Sequence, residues 1–549
     1  MARYRVTRFF TAMLVFMLML GMGTVSTFAA QYEDFDDLPI TENVFDGMDM
    51  QIDQFKEDGD IRDEATAHIL KLHVHAVKHF QEQEKMDKVI KHMENFKHLI
   101  DYQKNAEKIS EKAHHVFHTY AEYVIGSEEN PFDSDNVMEH IEHLSVDIGP
   151  REAGSDAEKS GAEYIEEQLS SYGYETTIEE APRDDRINPQ LEITSTDEEV
   201  PVSVAGGSPE TNDDGIVADV YDAGEGQPDD FTEDAEESIA LIKDGDISVS
   251  EKAENAADAG AVGVIVYDNE DDYALPFISL DDGESSIPVV GIRKSDGESL
   301  LEEMSENELE THLSIETLTD QKSRNVIATK KPKDVEDPEI VYVGSHLDSV
   351  PFAPGANDNA SGTASLIELA RTFKDYDGDK ELRFAAFGGE ELGFVGSRYH
   401  VDNLPQDEID RTIVQFQMDM VGTSWVPASQ LFINTVDGES NLVSESINEA
   451  ADRSGVNNDI LPLHQLSRSD HVPFHEKGVD SALFIWMEPG TPPGGADIEP
   501  YYHSPEDKIE HISPERIQLT GDLVQSAISD LIDYQKTDKE ADTSYDNAS

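Results

Sequence analysis

Histidines and carboxylates stand directly after apolar, β-branched segments in the second half of the chain. His346 and Asp348 follow the segment that begins at Val341, and Asp358 lies twelve residues after His346. A carboxylate near a histidine can accept a hydrogen bond from one ring nitrogen and so orient the other nitrogen towards a metal. Asp358 has two oxygens and could bridge two cations. These residue types in this order predict a two-metal hydrolase.

Two glutamates follow the next segment of this kind. Leu382–Phe387 is followed by two glycines and then by Glu390 and Glu391. Adjacent ionised carboxylates repel each other, so one of them can bind a metal while the other acts as general base for a water molecule. A pair of glutamates in so acidic a chain is usually solvated surface. Its position after an apolar segment and two glycines favours a site instead.

Two further motifs complete the set of candidate ligands. Asp419 stands between two methionines, where an unpaired carboxylate would be costly to bury and a metal would compensate it. His503 lies in YYHSPED, after the apolar segment Ala482–Met487. Nitrogen and oxygen ligands without sulfur suit zinc, with cobalt or manganese as substitutes. The side chains predicted to bind metal are His346, Asp358, Glu391, Asp419 and His503.

The strands of one sheet must bring these motifs together. An open α/β sheet places its chemistry at the carboxyl ends of its strands, which meet at one edge. Helices are expected from Ser155 to about Ser170 and from about Ser513 to Tyr534, because both begin with residues suited to helix starts. The predicted fold class is therefore α/β, with a mixed, mainly parallel sheet flanked by helices.

An insertion is expected inside this catalytic domain. Residues 194–318 alternate short β-branched strands with turns around one helical stretch, and Arg324–Lys330 resumes the strand pattern that stops near Glu192. The catalytic domain is accordingly predicted to comprise residues 136–193 and 320–536, with a β-rich insertion at 194–318.

A small helical domain is predicted before the catalytic domain, at residues 45–127. Nine histidines lie in this region. Metal loading or pH sensing is the specific hypothesis for them, but solvated helix faces are favoured because their spacings match no single ligand set. Two apolar faces with helical spacing are Val89, Met93, Phe96 and Ile100, and Ile69, Leu72, Ala76 and Phe80.

The motifs of this sequence resemble those of three known protein families. The motifs HLDS, GANDNASG, FGGEELG, QMDMVG and YYHSPED match, in kind and order, the double-zinc aminopeptidases that include aminopeptidase Y and bacterial leucyl aminopeptidases. The AGAVGVIVY segment and its neighbours resemble a protease-associated (PA) domain. KVIKHMENFKHLI and KISEKAHHVFHTYAEYVI resemble the FIMAH module of secreted bacterial proteins. The resemblances imply a zinc exopeptidase fold with an inserted PA domain and an accessory helical module.

The aminopeptidase resemblance also implies how two zinc ions share the ligands. One zinc would be bound by His346 and Asp419, and the other by Glu391 and His503. Asp358 would bridge the two. The resemblance further implies a cis peptide bond after Asp358, Glu390 as the general base, and Asp348 as the residue that supports His346.

The same resemblance points to residues near the substrate, a peptide with a free N-terminus. RSDHVPF matches a substrate-side loop, where Arg468 and Asp470 would shape the pocket, although a purely structural loop fits equally well. Tyr502, beside His503, could hydrogen-bond the tetrahedral intermediate. The preferred N-terminal residue stays open.

Other interpretations of the ligand order also stay open. A carboxypeptidase or aminoacylase-type dimetal amidohydrolase usually has a much longer interval between its first His-x-Asp and the bridging Asp than the twelve residues found here. A glutamate carboxypeptidase-like enzyme would need basic pocket residues, and few stand near the motifs. A non-catalytic peptide-binding receptor could keep the fold, but the ligands and the base are all present.

Composition limits the class of protein and its compartment. The formal net charge of -77 argues against nucleic acid as a partner, because phosphate binding needs clustered Lys and Arg. The basic, apolar and small residues of 1–30 predict a cleaved signal peptide, hence an extracellular protein without a membrane span after cleavage, and cell-wall association is also open. The alternative is an uncleaved membrane anchor, which is disfavoured because the apolar run Phe9–Met22 is shorter than the ~20 residues that a span needs. The absence of cysteine excludes disulfides and thiolate catalysis. The tail at 537–549 is expected to be disordered.

An acidic surface of this charge should be stabilised by salt. Repulsion among 117 acidic residues, opposed by 40 basic ones, weakens when ions screen it. We expect the melting temperature, measured by scanning calorimetry, to rise as NaCl increases from low to molar concentration. A melting temperature that stays constant over this range would contradict the prediction.

Overall fold

The structure is a computed structural model. It describes residues 44–81, 85–106, 108–129, 131–270, 273–280, 283–333, 335–454, 456–490 and 498–533. The signal peptide predicted at 1–30 and the tail predicted at 537–549 lie outside these residues. Within the described ranges, no helix is long and apolar enough to cross a bilayer.

Helices dominate the first part of the described chain, and two sheets follow. The α-helices are α1 Val44–Asp58, α2 Glu64–Gln81, α3 Met86–Asn105, α4 Glu111–Glu129, α5 Ser134–Glu142, α6 Asp156–Ser171, α7 Val249–Asp258, α8 Lys294–Glu306, α9 Gly362–Thr372, α10 Val395–Asn403, α11 Gln406–Arg411, α12 Leu442–Ser454, α13 His471–Glu476 and α14 Pro514–Asp533. The strands are β1 Glu175–Pro182, β2 Arg186–Ile193, β3 Glu198–Glu199, β4 Ser203–Val204, β5 Ile216–Asp222, β6 Ile239–Lys243, β7 Gly263–Tyr267, β8 Val289–Ile292, β9 Glu310–Leu318, β10 Lys322–Lys330, β11 Ile340–His346, β12 Glu381–Phe387, β13 Thr412–Met418, β14 Gln430–Thr435, β15 Leu463–Gln465 and β16 Asp480–Met487.

The helices α1 to α4 pack around a core of aromatic and aliphatic side chains. The rings of Phe55 and Phe117 meet edge to face with centroids 5.5 Å apart, and Phe96 lies 6.1 Å from Phe117. The predicted apolar face of α3 is confirmed, since all four of its residues are fully buried. They are Val89, Met93, Phe96 and Ile100.

The apolar face predicted for α2 is wrong. Ile69 is 44% exposed and Leu72 is 55% exposed. The buried face of α2 consists of Thr66, Ala67, Leu70, Val74 and Val77. Both stripes have helical spacing because α2 is apolar on two sides, so periodicity alone does not choose between them. Packing against α1 and α3 makes that choice.

The first sheet has eight strands in the order β1-β10-β12-β11-β13-β16-β14-β15. Its four central strands, β12, β11, β13 and β16, are parallel to one another. The antiparallel pairs are β1 with β10, β10 with β12, and β14 with β16. The edge strand β15 pairs in parallel with β14. The sheet is therefore mixed with a parallel centre, as predicted, and the carboxyl ends of the four central strands lie at one edge.

Helices cover both faces of this sheet. On β11, Val341 and Val343 belong to a core that includes residues of α5, α6, α9, α12 and α14. Ile340 and Tyr342 point the other way, into a core with residues from α10, α11 and α13. A strand that is buried on both faces has no polar alternation, which explains the continuous apolar pattern of β11 and β12.

The second sheet lies between β1 and β10 in the chain, and those two strands pair with each other. It contains β2 to β9 in the order β3-β2-β9-β5-β6-β7-β8-β4. β2 pairs with β9 along its whole length, so this sheet starts at Arg186 and not near Thr194. The predicted boundary misplaced β2 because its partner is more than a hundred residues away, and no local pattern reveals such a pairing.

The correction to the face of α2 can be tested with two leucines. Leu70 is fully buried, so Leu70→Ala should destabilise the helical module by about 2–5 kcal/mol. The exposed Leu72 serves as a matched control, and Leu72→Ala should change stability by less than about 0.5 kcal/mol. Hydrogen–deuterium exchange of α1 to α4 in the full chain measures both local opening free energies. A larger effect of Leu72→Ala would reverse the assignment of the face.

Candidate metal centre

The parallel strands deliver the predicted ligands to one edge of the first sheet. His346 is the last residue of β11, and Asp419 follows the last residue of β13. Glu390 and Glu391 lie in the turn after β12, where Gly389 has a φ of 70°. A side chain is strained in that left-handed conformation, so glycine allows the chain to turn sharply at the strand end.

His346 lies between two carboxylates. Its Nε2 is 3.2 Å from Asp358 Oδ1 and 3.2 Å from Asp419 Oδ1. All three residues are buried. Each of them offers one ligand atom, and these atoms lie within 4.8 Å of one another. The three side chains thus form one group that could hold a metal ion.

A second group is centred on His503. Its Nε2 is 3.0 Å from Glu391 Oε2 and 3.3 Å from Asp358 Oδ2. The ligand atoms of these three residues also lie within 4.8 Å of one another. Asp358 therefore directs one oxygen towards each histidine and belongs to both groups. The two groups that could hold a metal ion therefore share this carboxylate.

The chemistry of these groups fits cations. Glu391 Oε1 is buried and makes no hydrogen bond with any described residue, and His503 Nε2, although close to two carboxylate oxygens, meets neither of them in hydrogen-bonding geometry. Although burial works against it, the carboxylates of Asp358 and Glu391 raise the pKa of His503 to about 10. Burial also tends to lower the pKa of His346, but the nearby carboxylate of Asp419 raises it, and the pKa of His346 lies well above its ordinary value. Bound divalent ions would supply the positive charge that this cluster attracts.

Asp348 organises the turn that carries the glutamates. Its two carboxylate oxygens accept hydrogen bonds from the backbone N–H groups of Glu390, at 3.2 Å, and Glu391, at 3.4 Å. His346 Nδ1 lies 3.2 Å from the main-chain oxygen of Asp348 and 3.5 Å from its carboxylate. Asp348 is fully buried and links the ends of β11 and β12.

Glu390 belongs to neither of the two groups that contain Asp358, but it lies close to residues of both. It forms a third set with His346 and Glu391 whose ligand atoms are within 4.8 Å of one another. Burial, together with the carboxylates of Asp419 and Asp470, raises the pKa of Glu390 well above its ordinary value. Bound cations would act in the opposite direction. Its position suits a carboxylate that exchanges a proton at the metal centre.

The residues predicted for the substrate side have different surroundings. The ring of Tyr502 stacks on that of His503, with centroids 3.7 Å apart, and Tyr502 is half-buried. Asp470 is fully buried and accepts hydrogen bonds from Ser397 Oγ, at 2.5 Å, and from Gln417 Nε2, at 3.2 Å. Arg468 is exposed. Asp470 therefore packs behind β13, whereas Arg468 lies at the surface.

The loop that carries Asp358 has a cis peptide bond between Asp358 and Asn359, as the family resemblance implied. Asn359 fixes this loop to the end of β13. Its Nδ2 donates to the main-chain oxygen of Met418 at 3.0 Å, and its Oδ1 accepts from the N–H groups of Gly362, at 2.9 Å, and Met420, at 3.2 Å. Asp358 and Asp419 are thereby held in one framework.

The sequence analysis missed several buried polar residues around this loop. Arg151 is wholly buried and donates hydrogen bonds to five main-chain oxygens, which belong to Leu144, Gly149, Leu347, Pro354 and Gly355. The other missed residues are Asn357, Asn359, Glu499 and Asp507. Many of their contacts join residues more than a hundred positions apart, so no local spacing marks them. The only signal available was the presence of polar residues beside the ligand motifs.

Residues 325–528 match peptidase family M28, residues 201–300 match the PA domain, and residues 45–126 match the FIMAH domain. Aminopeptidase YwaD of Bacillus subtilis (strain 168) is 46% identical over 411 residues, which are 75% of this chain and 88% of that protein. An aminopeptidase of Pseudomonas aeruginosa is 27% identical over 445 residues, covering 71% of this chain and 79% of its own length.

A solved structure has the same fold. The zinc aminopeptidase BSAP from Bacillus subtilis has a TM-score of 0.57 and 45% sequence identity, and the match covers 75% of this chain and 98% of that chain. These findings confirm the resemblance to zinc aminopeptidases, the PA domain and the FIMAH-like module predicted from the sequence motifs. The chain belongs to peptidase family M28.

Proposed function

We propose that this protein is a secreted aminopeptidase that removes N-terminal residues from peptides with two zinc ions and Glu390 as general base. The observation that carries the proposal is the pair of ligand groups that share Asp358, with Glu390 beside them. The relatives that are named aminopeptidases and the solved zinc aminopeptidase support the activity and the metal.

The proposed metal ligands follow from the two groups. His346 and Asp419 would hold one zinc, Glu391 and His503 would hold the other, and Asp358 would bridge them. When bound, the zinc ions would polarise the scissile carbonyl and lower the pKa of water at the site. Cobalt or manganese could replace zinc in such a set of nitrogen and oxygen ligands.

The proton transfers of the reaction would be carried out by the protein's own residues. Glu390 accepts a proton from the attacking water as the new C–O bond forms, and then transfers it to the nitrogen of the leaving amine as the peptide C–N bond of the tetrahedral intermediate breaks. Asp348 holds the backbone of Glu390 and so fixes the position of this carboxylate. The hydroxyl of Tyr502, next to His503, is placed to hydrogen-bond the oxygen of the tetrahedral intermediate.

The charges of the site favour a free amine over a free carboxylate in the substrate. Within the part of the chain that the structure describes, Asp358, Glu391 and Asp419 form ion pairs with histidines and not with Lys or Arg. The guanidinium of Arg151, although buried nearby, donates its hydrogen bonds to backbone oxygens. A carboxypeptidase would need a cation to bind the substrate's C-terminal carboxylate, so the aminopeptidase is the better-supported alternative.

The general-base assignment predicts separate effects on turnover and on metal content. Glu390→Gln removes the proton acceptor but keeps the shape of the side chain and the ligands. We expect kcat to fall by about 10²–10⁴-fold while the protein still binds two equivalents of zinc, measured by elemental analysis. Glu510→Gln, at an exposed glutamate, is the control and should keep wild-type turnover. An active Glu390→Gln variant would refute the assignment.

The substrate class can be tested with blocked and unblocked substrates. We expect hydrolysis of aminoacyl-p-nitroanilides and of peptides with a free N-terminus, no hydrolysis of N-acetylated versions, and loss of activity with a chelator that zinc restores. Cleavage of N-blocked peptides from the C-terminus would favour the carboxypeptidase alternative. Binding of peptides without turnover in the zinc-loaded protein would favour a receptor.

A further inference from the structure

The segment Glu499–Asp507 holds the backbone on which the bridging carboxylate stands. Asp507 Oδ1 accepts a hydrogen bond from the N–H of Asn357 at 2.8 Å, and Asp507 Oδ2 accepts one from the N–H of Asp358 at 2.9 Å. The N–H of Ala356 donates to the main-chain oxygen of Asp507 at 3.2 Å. One aspartate therefore fixes three consecutive backbone positions that end at the bridging residue.

Glu499, at the other end of the same segment, holds the side chain of Asn357, the residue before Asp358. Glu499 Oε1 accepts a hydrogen bond from Asn357 Nδ2 at 2.9 Å, and Glu499 Oε2 accepts one from Thr423 Oγ1. Asn357 Oδ1 in turn accepts from the N–H of Gly422 at 2.9 Å. Asp507, Asn357 and Glu499 are each less than 4% exposed, so water does not compete for these hydrogen bonds.

His503 lies between the two ends of this segment. It has a φ of 55°, a left-handed conformation that a residue with a side chain keeps only when its surroundings hold it. The hydrogen bonds of Glu499 and Asp507 provide such flanking support. The segment thus connects His503, a ligand of one proposed zinc, with Asp358, the proposed bridge.

Arg151 supports the loop that leads to Asp358. Its guanidinium donates to the main-chain oxygens of Pro354 and Gly355, two residues that precede Asn357 closely. Burial lowers the pKa of Arg151 to about 10, so the group is positively charged at neutral pH. The loop is consequently held by a cation before Asp358 and by a carboxylate at Asp358.

The two metal positions differ in their dependence on this segment. His346 and Asp419 stand at the ends of β11 and β13, and Ser469 Oγ donates to Asp419 Oδ2 at 3.0 Å. Glu391 lies in a turn, and His503 lies in the segment itself. Loosening the segment should therefore affect the position formed by Asp358, Glu391 and His503 more than the other one.

We propose that Asp507 is a positioning residue for the bridging Asp358 and that the segment Glu499–Asp507 sets the affinity of the metal position formed by Asp358, Glu391 and His503. The inference rests on the two-metal site of the proposed function. Residues that orient metal ligands commonly change metal affinity by about 10- to 100-fold when they are replaced. The effect on this chain should be of that size at this position and smaller at the other position, which shares Asp358 but has its other two ligands at strand ends.

Asp507→Asn tests the proposal because the amide keeps the size of the side chain but offers one acceptor oxygen where two backbone N–H groups need one each. Zinc bound per protein is measured by equilibrium dialysis over a series of chelator-buffered free zinc concentrations. We expect one equivalent to be weakened by about 10- to 100-fold and the other, which shares Asp358, to be weakened by a clearly smaller factor. Turnover should fall at limiting zinc and recover as zinc is raised.

Glu368→Gln is the matched control. Glu368 is also a fully buried carboxylate that accepts a backbone hydrogen bond, from the N–H of Asp133 at 2.9 Å. Its other partners are Asn136 on α5 and Arg371 on α9, and none of them is a proposed ligand. This variant should lower the melting temperature and keep both zinc affinities. If it weakened one zinc as Asp507→Asn does, a general loss of stability would explain both results and the proposal would fail.

Thr423→Val provides a second variant of nearly constant shape in case Asp507→Asn does not fold. It removes the hydrogen bond to Glu499 and should weaken the same zinc equivalent by a smaller factor. Equal weakening of both equivalents, or wild-type affinity for both, would overturn the proposal. Zinc binding is measured without substrate, so a failure to hydrolyse peptides would count against the proposed function and not against this inference.

Discussion

The close approach of like charges at one edge of a sheet is the constraint on which this structure depends. Asp358 stands at its centre, with one oxygen 3.2 Å from His346 and the other 3.3 Å from His503. Asp419 and Glu391 add a further carboxylate on either side. Buried carboxylates at such distances are unstable unless positive charge is shared among them. Two divalent cations would meet that need, and the two imidazoles would be available as further ligands.

Holding these groups in place requires a framework that contributes no ligand itself. Asn359 ties the loop of Asp358 to the end of β13, and Asp348 ties the end of β11 to the turn of the two glutamates. Arg151 fills the space beneath the loop with a cation whose N–H groups satisfy buried backbone oxygens. Each of these residues hydrogen-bonds backbone groups that are buried, because a polar group removed from water needs a partner in the protein.

The position of the second sheet in the chain gives it access to the site. Its strands enter and leave beside the antiparallel pair β1 and β10 at the edge of the first sheet. Arg293, which precedes α8, lies 3.7 Å from Glu506, and the ring of Tyr273 lies 5.4 Å from that of Tyr501. The inserted PA domain thereby contacts the segment that carries His503, while the FIMAH domain packs near α12 and α14.

The sequence by itself determined the residue types of the site and the strands that carry them. His346, Asp419 and the two glutamates could be placed at strand ends because an apolar run followed by a polar residue is a local pattern. The buried face of α2, the pairing of β2 with β9, and the contacts of Arg151 and Asp507 were decided only by the tertiary structure. Each depends on partners far away in the chain, and local periodicity contains no information about which distant surface a residue will meet.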